Sequence, residues 1–454
     1  MKYQPLIFAI FVFILSSCQK DPELTKAVKL TVQANIKSDE NLQISPEGTT
    51  LTITNKSNGS IYSAVAQADG KAVFESVTPG AYALTASLTL SAEAYTQLAG
   101  YYVEDEISFS GNADNVEVFD DQTLTVDLVA GRTGNLVFKQ IYYAGSNVST
   151  GASFRDVFLE IYNNSNEVIY ADSLYFGQVV GNNNTRVTEY TLANGQYDWS
   201  KAVGMSVDAG KDANVDYIYA HTLFRIPSDG TGKKYPIEAG KSIIIAATAV
   251  DHTNTYETNT TAPATITNPA LTVNLNLADF EVNLIEFLRP TDNSAYTPYR
   301  YDVDNVNVPN VDVLHVSSGN DLILNALGRD AFFIVDTRGT NLNMENLKSY
   351  ATPNVRSITA GTTTFRQIPT SIVVDAVELQ HPVASSRVPK RLPTTLDAGR
   401  TFVPGGQYSS QSLVRKTLKI VNGRRILRDS NNSEADFGYL QKADVSKSAS
   451  SFID

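Results

Sequence analysis

An alternation of aliphatic and other side chains between Phe154 and Tyr170 constrains the fold of this chain more than any other feature. Every second residue is aliphatic in its first half: Val157, Leu159 and Ile161. Because successive strand residues point to opposite faces, this pattern predicts a strand with one buried face. Residues 163–166 (Asn-Asn-Ser-Asn) tolerate left-handed backbone and bond their own main chain, so they predict a turn. We expect 168–176 to return as the second strand of a hairpin.

The composition extends this interpretation to the whole chain. Its 454 residues are 42% apolar and 19% charged, which indicates a globular protein with room for two or three domains. Thr, Val, Asn and Ser are abundant, and long runs of helix-forming residues are missing, so strands are favoured. Residues 343–349 form the one segment that we predict to be helical. The predicted fold class is therefore all-β.

The N-terminus has the features of a targeting segment. Lys2 precedes an apolar run from Leu6 to Leu15, which as a helix would span about 15 Å, too short to cross a bilayer. The sequence Leu15-Ser-Ser-Cys18 resembles the bacterial lipobox, which implies a lipoprotein signal peptide over 1–17 and lipid attachment at Cys18. The alternative is an ordinary secretory peptide with an incidental cysteine.

Cys18 is the only cysteine in the sequence, and its acylation would leave no free thiol, so the lipobox resemblance excludes disulfides, thiolate metal sites and cysteine nucleophiles. Residues 18–26 are interpreted as a lipidated tether. Within it, Gln19, Lys20 and Asp21 resemble the export signal of Bacteroidota surface lipoproteins, although Pro22 interrupts the acidic pair. The resemblance implies an outer-membrane protein that faces the cell exterior, and the alternative is a solvated linker.

The formal net charge of −12 argues against nucleic acid as a partner, because nucleic-acid binding requires basic patches.

Residues 27–131 are predicted to form a first domain. Strands are indicated by alternation over 28–36 and 82–90, and a closing strand over 124–130. Asp69-Gly70 predicts a tight hairpin, and Pro79-Gly80 predicts a type II turn. The sequence from 69 to 84 (Asp-Gly-Lys-x-x-Phe-x-x-Val-x-Pro-Gly-x-Tyr-x-Leu) resembles the carboxypeptidase-regulatory or transthyretin-like sandwich. The resemblance implies an immunoglobulin-like fold and transfers no activity. Residues 131–134 are interpreted as the joint to the next domain.

Residues 132–447 are predicted to form a larger domain. The Glu-Ile-Tyr-Asn segment at 160–163 resembles the lamin-tail family, whose fold is an immunoglobulin-like β-sandwich. Four further stretches fit later parts of that family: a strand at 236–246, an edge strand at 330–336, a strand at 372–377, and a closing segment at 411–415 and 427–437. Most of 135–440 also resembles a family of Bacteroidota lipoproteins known only as a domain of unknown function.

Two insertions, 181–235 and 252–320, exceed what a single sandwich of about 100 residues needs. Either the sandwich carries large functional loops, or a second β unit lies within them.

Few residues have the type and spacing of a catalytic or metal-binding site. The four histidines show no metal-ligand spacing and are interpreted as ordinary polar residues: His221, His252, His315 and His381. No phosphate loop, nucleophile elbow or zinc-protease motif occurs. We therefore expect no catalytic residues.

One acidic segment has the oxygen-rich spacing that calcium can use: Asp429, Asn431, Ser433 and Asp436. It lacks the central Gly and terminal Glu of an EF-hand, and the alternative is a turn bonded to its own backbone. Asp302 and Asp304 form a weaker case. No other cofactor is expected.

Tyrosine runs at 142–143 and 296–301 could stack on sugar rings, although Tyr is also a common strand residue and Trp199 is the single tryptophan. The expected function is a non-enzymatic surface lipoprotein, a binding or accessory component of a TonB-dependent uptake system whose partner is an outer-membrane β-barrel transporter. The alternatives are an adhesin or glycan-binding protein and, third, a hydrolase. The scaffold alone does not separate them.

Overall fold

A computed structural model describes residues 26–37, 42–99, 106–131, 135–292, 295–338 and 340–454. Cys18, Gln19, Lys20, Asp21 and residues 132–134 of the expected joint lie outside the described residues. Strands account for 36% of the structure and helices for 8%, and the sheets are sandwich-like. The predicted all-β class is confirmed.

The first sheet contains seven strands and is followed in sequence by the second unit. Its strands and one helix are β1 (Val28–Lys37), β2 (Thr50–Asn55), β3 (Ile61–Val65), β4 (Lys71–Val77), β5 (Gly80–Leu90), α1 (Ala92–Ala99), β6 (Ile107–Val118) and β7 (Gln122–Gly131). Their order is β3-β2-β5-β6-β7-β1-β4, with β1 parallel to β7. The sheet surrounds a core to which most strands contribute, with members such as Leu30, Ile53, Leu84, Phe109 and Leu128.

Both turn predictions in this unit need correction. The tight turn at Gly70 is present, with φ of +80°, but β3 and β4 on its two sides stand at opposite ends of the strand order, so no hairpin ladder forms. Gly80 does not have the positive φ of a type II turn and instead begins β5. A Cβ atom there would lie 3.0 Å from Asn55 Nδ2, so the glycine permits a close approach to β2.

The second unit contains two large sheets and two short ribbons. Its strands are β8 (Leu136–Tyr142), β9 (Phe158–Asn163), β10 (Ile169–Tyr170), β11 (Tyr175–Val179), β12 (Tyr217–Arg225), β13 (Pro236–Ile237), β14 (Ser242–Ala246), β15 (Phe280–Glu281), β16 (Asp312–Val316), β17 (Ala331–Val335), β18 (Ser349–Tyr350), β19 (Phe365–Pro369), β20 (Val373–Glu378), β21 (Ser412–Arg415), β22 (Thr417–Val421), β23 (Arg424–Leu427) and β24 (Phe437–Leu440). Six strands form one sheet in the order β15-β14-β9-β8-β21-β24. Seven form the other in the order β18-β19-β12-β11-β17-β20, with β16 paired to β12. The ribbons are β10-β13 and β22-β23.

Helical structure is short and is more widespread than predicted. The α-helices of this unit are α2 (Ile285–Leu288) and α3 (Ser433–Asp436), and the 3-10 turns are Trp199–Lys201, Pro269–Leu271, Met344–Asn346, Thr370–Ile372, Ala384–Ser386 and Ala449–Ser451. The predicted helical segment 343–349 is one of these turns, capped by the Asn343 side chain. The prediction that it is the one helical segment is wrong, since the structure also contains the eight-residue α1 and the other helical turns.

The hairpin expected after β9 is wrong, although the turn at 163–166 is present. The chain leaves the six-stranded sheet there, so that β10 pairs with β13 and β11 pairs with β12 and β17 of the other sheet. The expected edge strand at 330–336 is also wrong, since β17 lies between β11 and β20 and is fully buried. Both expected insertions supply sheet strands, β12 from 181–235 and β15 and β16 from 252–320.

Strand β9 is buried on both faces and not on one. Val157, Leu159 and Ile161 enter the core between the two large sheets. Phe158, on the opposite face, packs in a second cluster with Val273, Leu275 and Val308 from the second insertion, among others. The insertion covers the face of β9 that a plain sandwich would leave in solvent. For this reason β9 has no exposed face, although its side chains alternate with a period of two.

Candidate ligand-binding site

A polar cavity of about 510 Å³ opens where β11 ends. It is lined by the end of β11 and the residues after it, by β12, by the loop that precedes β17, and by residues from 365, 391 and 407–408. The volume falls in the range of cavities that hold small molecules, about 300–1,000 Å³. The site is therefore assembled from segments far apart in sequence.

Gln178 and Asp330 form the buried floor of the cavity. Gln178 Nε2 donates to Asp330 Oδ2 at 2.7 Å and to the carbonyl of Ile323 at 3.0 Å, while Thr222 donates to Gln178 Oε1 at 3.2 Å. The backbone N–H of Ala331 donates to the other oxygen of Asp330 at 3.0 Å. Burial raises the pKa of Asp330 to about 6. This network orders the floor and leaves the carboxylate well satisfied.

Among the described residues, Arg391 is one of two arginines that line the cavity; the other is Arg329. Arg391 Nη2 donates to Asn183 Oδ1 at 2.8 Å, whereas its Nη1 is buried and has no hydrogen-bond partner. Its side chain crosses directly over Gly181, where a Cβ atom would lie 2.2 Å from Arg391 Cγ. Glycine at position 181 thus sets the path of the arginine into the cavity.

His221 lies on the cavity wall beside Phe365, with ring centroids 6.3 Å apart. Its Nδ1 hydrogen-bonds the hydroxyl of Ser317. Burial and, secondarily, Arg391 lower the pKa of His221, so the ring is neutral at neutral pH. His315, on the neighbouring β16, bonds the Thr364 carbonyl, and burial lowers its pKa to about 4.

The loop before β21 closes another side of the cavity through Gln407 and Tyr408. Tyr408 and Ser410 both have positive φ, 59° and 64°. Their N–H groups donate to the carbonyls of Ala144 and Gly145 at 2.6 and 2.9 Å, which holds the loop against the end of β8. Such backbone conformations are uncommon for residues other than glycine, and they cluster at functional sites.

The calcium candidates are not near this cavity, and their carboxylates already have partners. Asp429 and Asp436 flank the buried Arg415, with N–O distances of 3.2 and 3.5 Å. Ser433 begins the α3 turn, and the Asn431 amide lies 3.5 Å from the Thr395 carbonyl. Among the described residues, no three His, Cys, Asp or Glu side chains are grouped as a metal site would require.

Asp302 and Asp304, the weaker candidates, also have protein partners. Asp302 accepts the N–H of Leu284 at 2.9 Å, and Asp304 accepts the amide of Asn310 at 2.7 Å.

The other residues singled out from the sequence have mostly structural positions. Tyr142 and Tyr143 are fully buried and cannot stack on a ligand, so that part of the aromatic prediction is wrong. Trp199 is buried and stacked on Tyr219 at 3.6 Å. In the run 296–301, Tyr301 lies under the Arg155 guanidinium at 3.4 Å.

Of the remaining histidines, His252 is buried against the Thr248 carbonyl and His381 accepts the N–H of Val383, so neither faces the cavity.

Sequence reasoning missed the residues that define the cavity: Gln178, Asn183, Asp330 and Arg391. None lies in a motif with known chemistry, although Asp330 begins the lamin-tail-like stretch at 330–336, and the segments that carry these residues meet only through the sheet order. No helix among the described residues is long and apolar enough to cross a bilayer.

Comparisons with known proteins give a family without an assigned role. Residues 238–444 match the family described as "Protein of unknown function (DUF4876)". The chain is similar to the crystal structure of a DUF4876 family protein from Bacteroides thetaiotaomicron, at 23% identity and a TM-score of 0.46 over 90% of this chain and 94% of that one. No curated protein matches the chain.

Two other solved structures show weaker similarity. A candidate adhesin from Bacteroides ovatus has 13% identity and a TM-score of 0.19 over 48% of this chain and 85% of that one. A candidate cell adhesion protein from Bacteroides eggerthii has 8% identity and a TM-score of 0.16 over 48% and 78%. The expected resemblance to a family of unknown function is thus confirmed over part of the chain, while the lamin-tail likeness stays a prediction. Between residues 238 and 444, this protein is similar to the DUF4876 family.

Proposed function

We propose that this protein is a non-enzymatic, lipid-anchored outer-membrane protein that binds a small ligand at the cell surface as an accessory to a TonB-dependent β-barrel transporter. The observation that carries the binding role is the cavity, which joins a preformed volume to a half-buried arginine, one of whose donors, Nη1, is buried without a hydrogen-bond partner. Pockets of this kind, mostly preformed with a few convergent polar groups, are typical of ligand-binding sites.

The arrangement of His221 and Ser317 favours binding over catalysis. A serine nucleophile needs a histidine whose second nitrogen is oriented by a carboxylate. Here Ser317 contacts Nδ1, and no carboxylate hydrogen-bonds the ring within the described part of the chain. The lowered pKa of His221 also makes the ring a weaker base. The hydrolase alternative therefore has the two side chains without the environment that activates them.

Glycan binding is the second candidate function, and the cavity lining favours it. Amide side chains and aromatic rings lie together there, as in Asn183, Gln407, Phe365 and Tyr408. Hydroxyl groups of a sugar use the first kind of contact and its ring faces use the second. This candidate differs from the first only in the ligand and requires no turnover.

The transporter role rests on the N-terminal sequence features and on exposed segments of the first insertion. Residues 228–233 form an exposed bend with positive φ at Gly230 and Gly232. Loops mounted on rigid sheets commonly carry recognition. We expect affinity purification of the gently solubilised full-length lipoprotein to recover an outer-membrane β-barrel. A variant lacking 229–232 should lose this partner while its melting temperature changes by less than about 2 °C.

Cys18→Ala serves as the control for the anchor. This variant should leave the membrane fraction and fail to incorporate labelled palmitate, while retaining the melting temperature of the lipid-free protein. Recovery of the wild type with no barrel protein would contradict the accessory role. Hydrolysis of a surface substrate that disappears in Ser317→Ala would replace the proposal with the enzyme.

A further inference from the structure

We infer that the cavity recognises the carboxylate of a small sugar acid and that Arg391 is its charged contact. The inference rests on the proposed binding function and names the chemical class of the ligand. It depends on three features of the described residues. The arginine has a hydrogen-bond donor without a partner, no neighbouring carboxylate forms an ion pair with its guanidinium, and the cavity lining suits a hydroxylated ring.

The free donor is the first step. Arg391 Nη1 is buried without a hydrogen-bond partner, while Nη2 is held by Asn183. A buried donor without a partner costs free energy, about 1–3 kcal/mol and more for a charged group, so such groups are rare in folded proteins. A carboxylate that reaches Nη1 would satisfy the donor with a strong, charge-assisted bond.

The neighbouring charged groups leave this role open. Asp330 is bound by Gln178 and by backbone N–H groups, and Glu378 accepts the backbone N–H of Arg391 at 2.9 Å, not its guanidinium. Across the part of the chain that the structure describes, Arg391 has no carboxylate within ion-pair distance, although Asp330 and Glu378 both feel its charge.

The two other cations nearby, Arg329 and Lys390, are each held by a backbone carbonyl. Arg329 donates through Nε and Nη2 to the Ser386 carbonyl at 3.1 and 2.8 Å, and Lys390 donates to the carbonyl of Asp397. Arg391 is therefore the cation of this group whose guanidinium has a buried donor without a partner.

The arginine is also held in place before any ligand arrives. Gly181 leaves room for its methylene groups, and Asn183 fixes one edge of the guanidinium. A preorganised, planar donor loses little conformational entropy on binding and presents a fork that suits a carboxylate.

The rest of the lining indicates a sugar and not a purely apolar acid. Ser318, Gln407 and the neutral ring of His221 offer hydrogen-bonding groups, and Phe154 and Phe365 offer flat apolar surfaces. A pocket with both kinds of group fits a molecule with hydroxyls at its rim and C–H faces. The cavity volume of about 510 Å³ accommodates one or two sugar units.

Isothermal titration calorimetry of the folded, lipid-free protein tests the inference. The four probes are glucuronate, galacturonate, N-acetylneuraminate and, as the neutral analogue, glucose. We expect at least one of the acids to bind and glucose to bind about 10-fold more weakly or not at all. Arg391→Gln should weaken binding of that acid about 10-fold or more. Arg391→Lys should fall between, because it keeps the charge but loses the planar fork.

Two further variants separate a binding role from a folding role. Gly181→Ala should weaken binding by displacing Arg391, with the melting temperature and the pKa of Asp330 as independent readouts of the local structure. Arg356→Gln makes the same charge change at an exposed position that pairs with Glu189, and it should leave binding unchanged.

Equal affinity for glucose and the acids, or an unchanged affinity in Arg391→Gln, would overturn the carboxylate inference while leaving a binding cavity intact. Binding of none of the four probes by a protein that still recovers its transporter partner would also overturn it, without affecting the proposed accessory role. Loss of partner recovery, tested separately, would instead remove the proposed function.

Discussion

Several charged side chains of this protein are fully buried, among them Lys139 and Glu160. Lys139 donates to Glu160 at 2.9 Å and to Ser451 at 2.7 Å, and neither member of the ion pair is exposed. Glu160 also accepts the hydroxyl of Ser242 at 2.6 Å. Breaking a buried pair by removing one partner is costly, because the other charge stays in a medium of low polarity. Glu160, which belongs to the sequence signature of the predicted strand, thus has a structural role as the partner of a buried cation.

Lys139→Met tests this interpretation. We expect it to lower the free energy of unfolding by about 3–5 kcal/mol, because it leaves the Glu160 carboxylate buried without its cation. Urea denaturation at pH 7 measures the change. The matched control is Lys29→Met, which breaks an exposed pair with Glu75 and should cost less than about 1 kcal/mol. Equal effects of the two substitutions would contradict the interpretation.

At the scale of elements, the first seven strands have a hydrophobic core of their own. Its members come from β1, β2, β4 to β7 and α1, and they include Val32, Leu51, Phe74 and Tyr95. Polar contacts join this unit to the second, among them a hydrogen bond of 2.9 Å from Thr394 to Asn112 and one of 2.9 Å from Ser110 to the Ser430 carbonyl. Few polar bonds beside a separate apolar core are typical of an interface between domains.

A fragment of residues 27–131 should therefore fold alone. We expect a cooperative thermal transition and a β-type circular dichroism spectrum, since about 100 residues with their own core suffice for a domain. Asn112→Ala within the fragment should leave its melting temperature unchanged, because the partners of this side chain lie in the other unit. A non-cooperative transition would mean that the two units share one core.

For the whole molecule, buried titratable groups set the pH dependence of stability. Burial raises the pKa of Asp156, Glu281 and Asp302 to about 7, and it lowers the pKa of His252 and His315 to about 4. The carboxyl groups bind protons more tightly in the folded state than in the unfolded state. Their contribution to the free energy of unfolding is therefore complete below their ordinary pKa near 4 and is lost as the pH rises through 7. The histidines act in the opposite direction, since their contribution is present above 6.5 and is lost as the pH falls through 4.

We expect the free energy of unfolding to be lower at pH 8 than at pH 5, because more buried carboxyl groups have a raised pKa than buried histidines have a lowered one; Asp330, Asp375 and His221 are further examples. Each net proton contributes about 1.4 kcal/mol per pH unit. Asp156→Asn should flatten the decline and stabilise the protein at pH 8, since an amide keeps the shape without the buried charge. Glu117→Gln, an exposed residue in β6, serves as the control and should change neither slope nor stability. An unchanged slope in Asp156→Asn would contradict the assignment.

The all-β class, the positions of several strands and the turn at 163–166 followed from the sequence, because side-chain alternation and turn propensity are local properties of the chain. Only the tertiary structure decided which strands pair. The crossing of the segment after Asn163 to the other sheet could not be predicted from the sequence. Strand pairing depends on contacts between residues far apart in sequence, and a local pattern carries no information about them. The same reason hid Arg391: its unpaired donor, the room at Gly181 and the floor at Asp330 are properties of one place in space that three distant segments create.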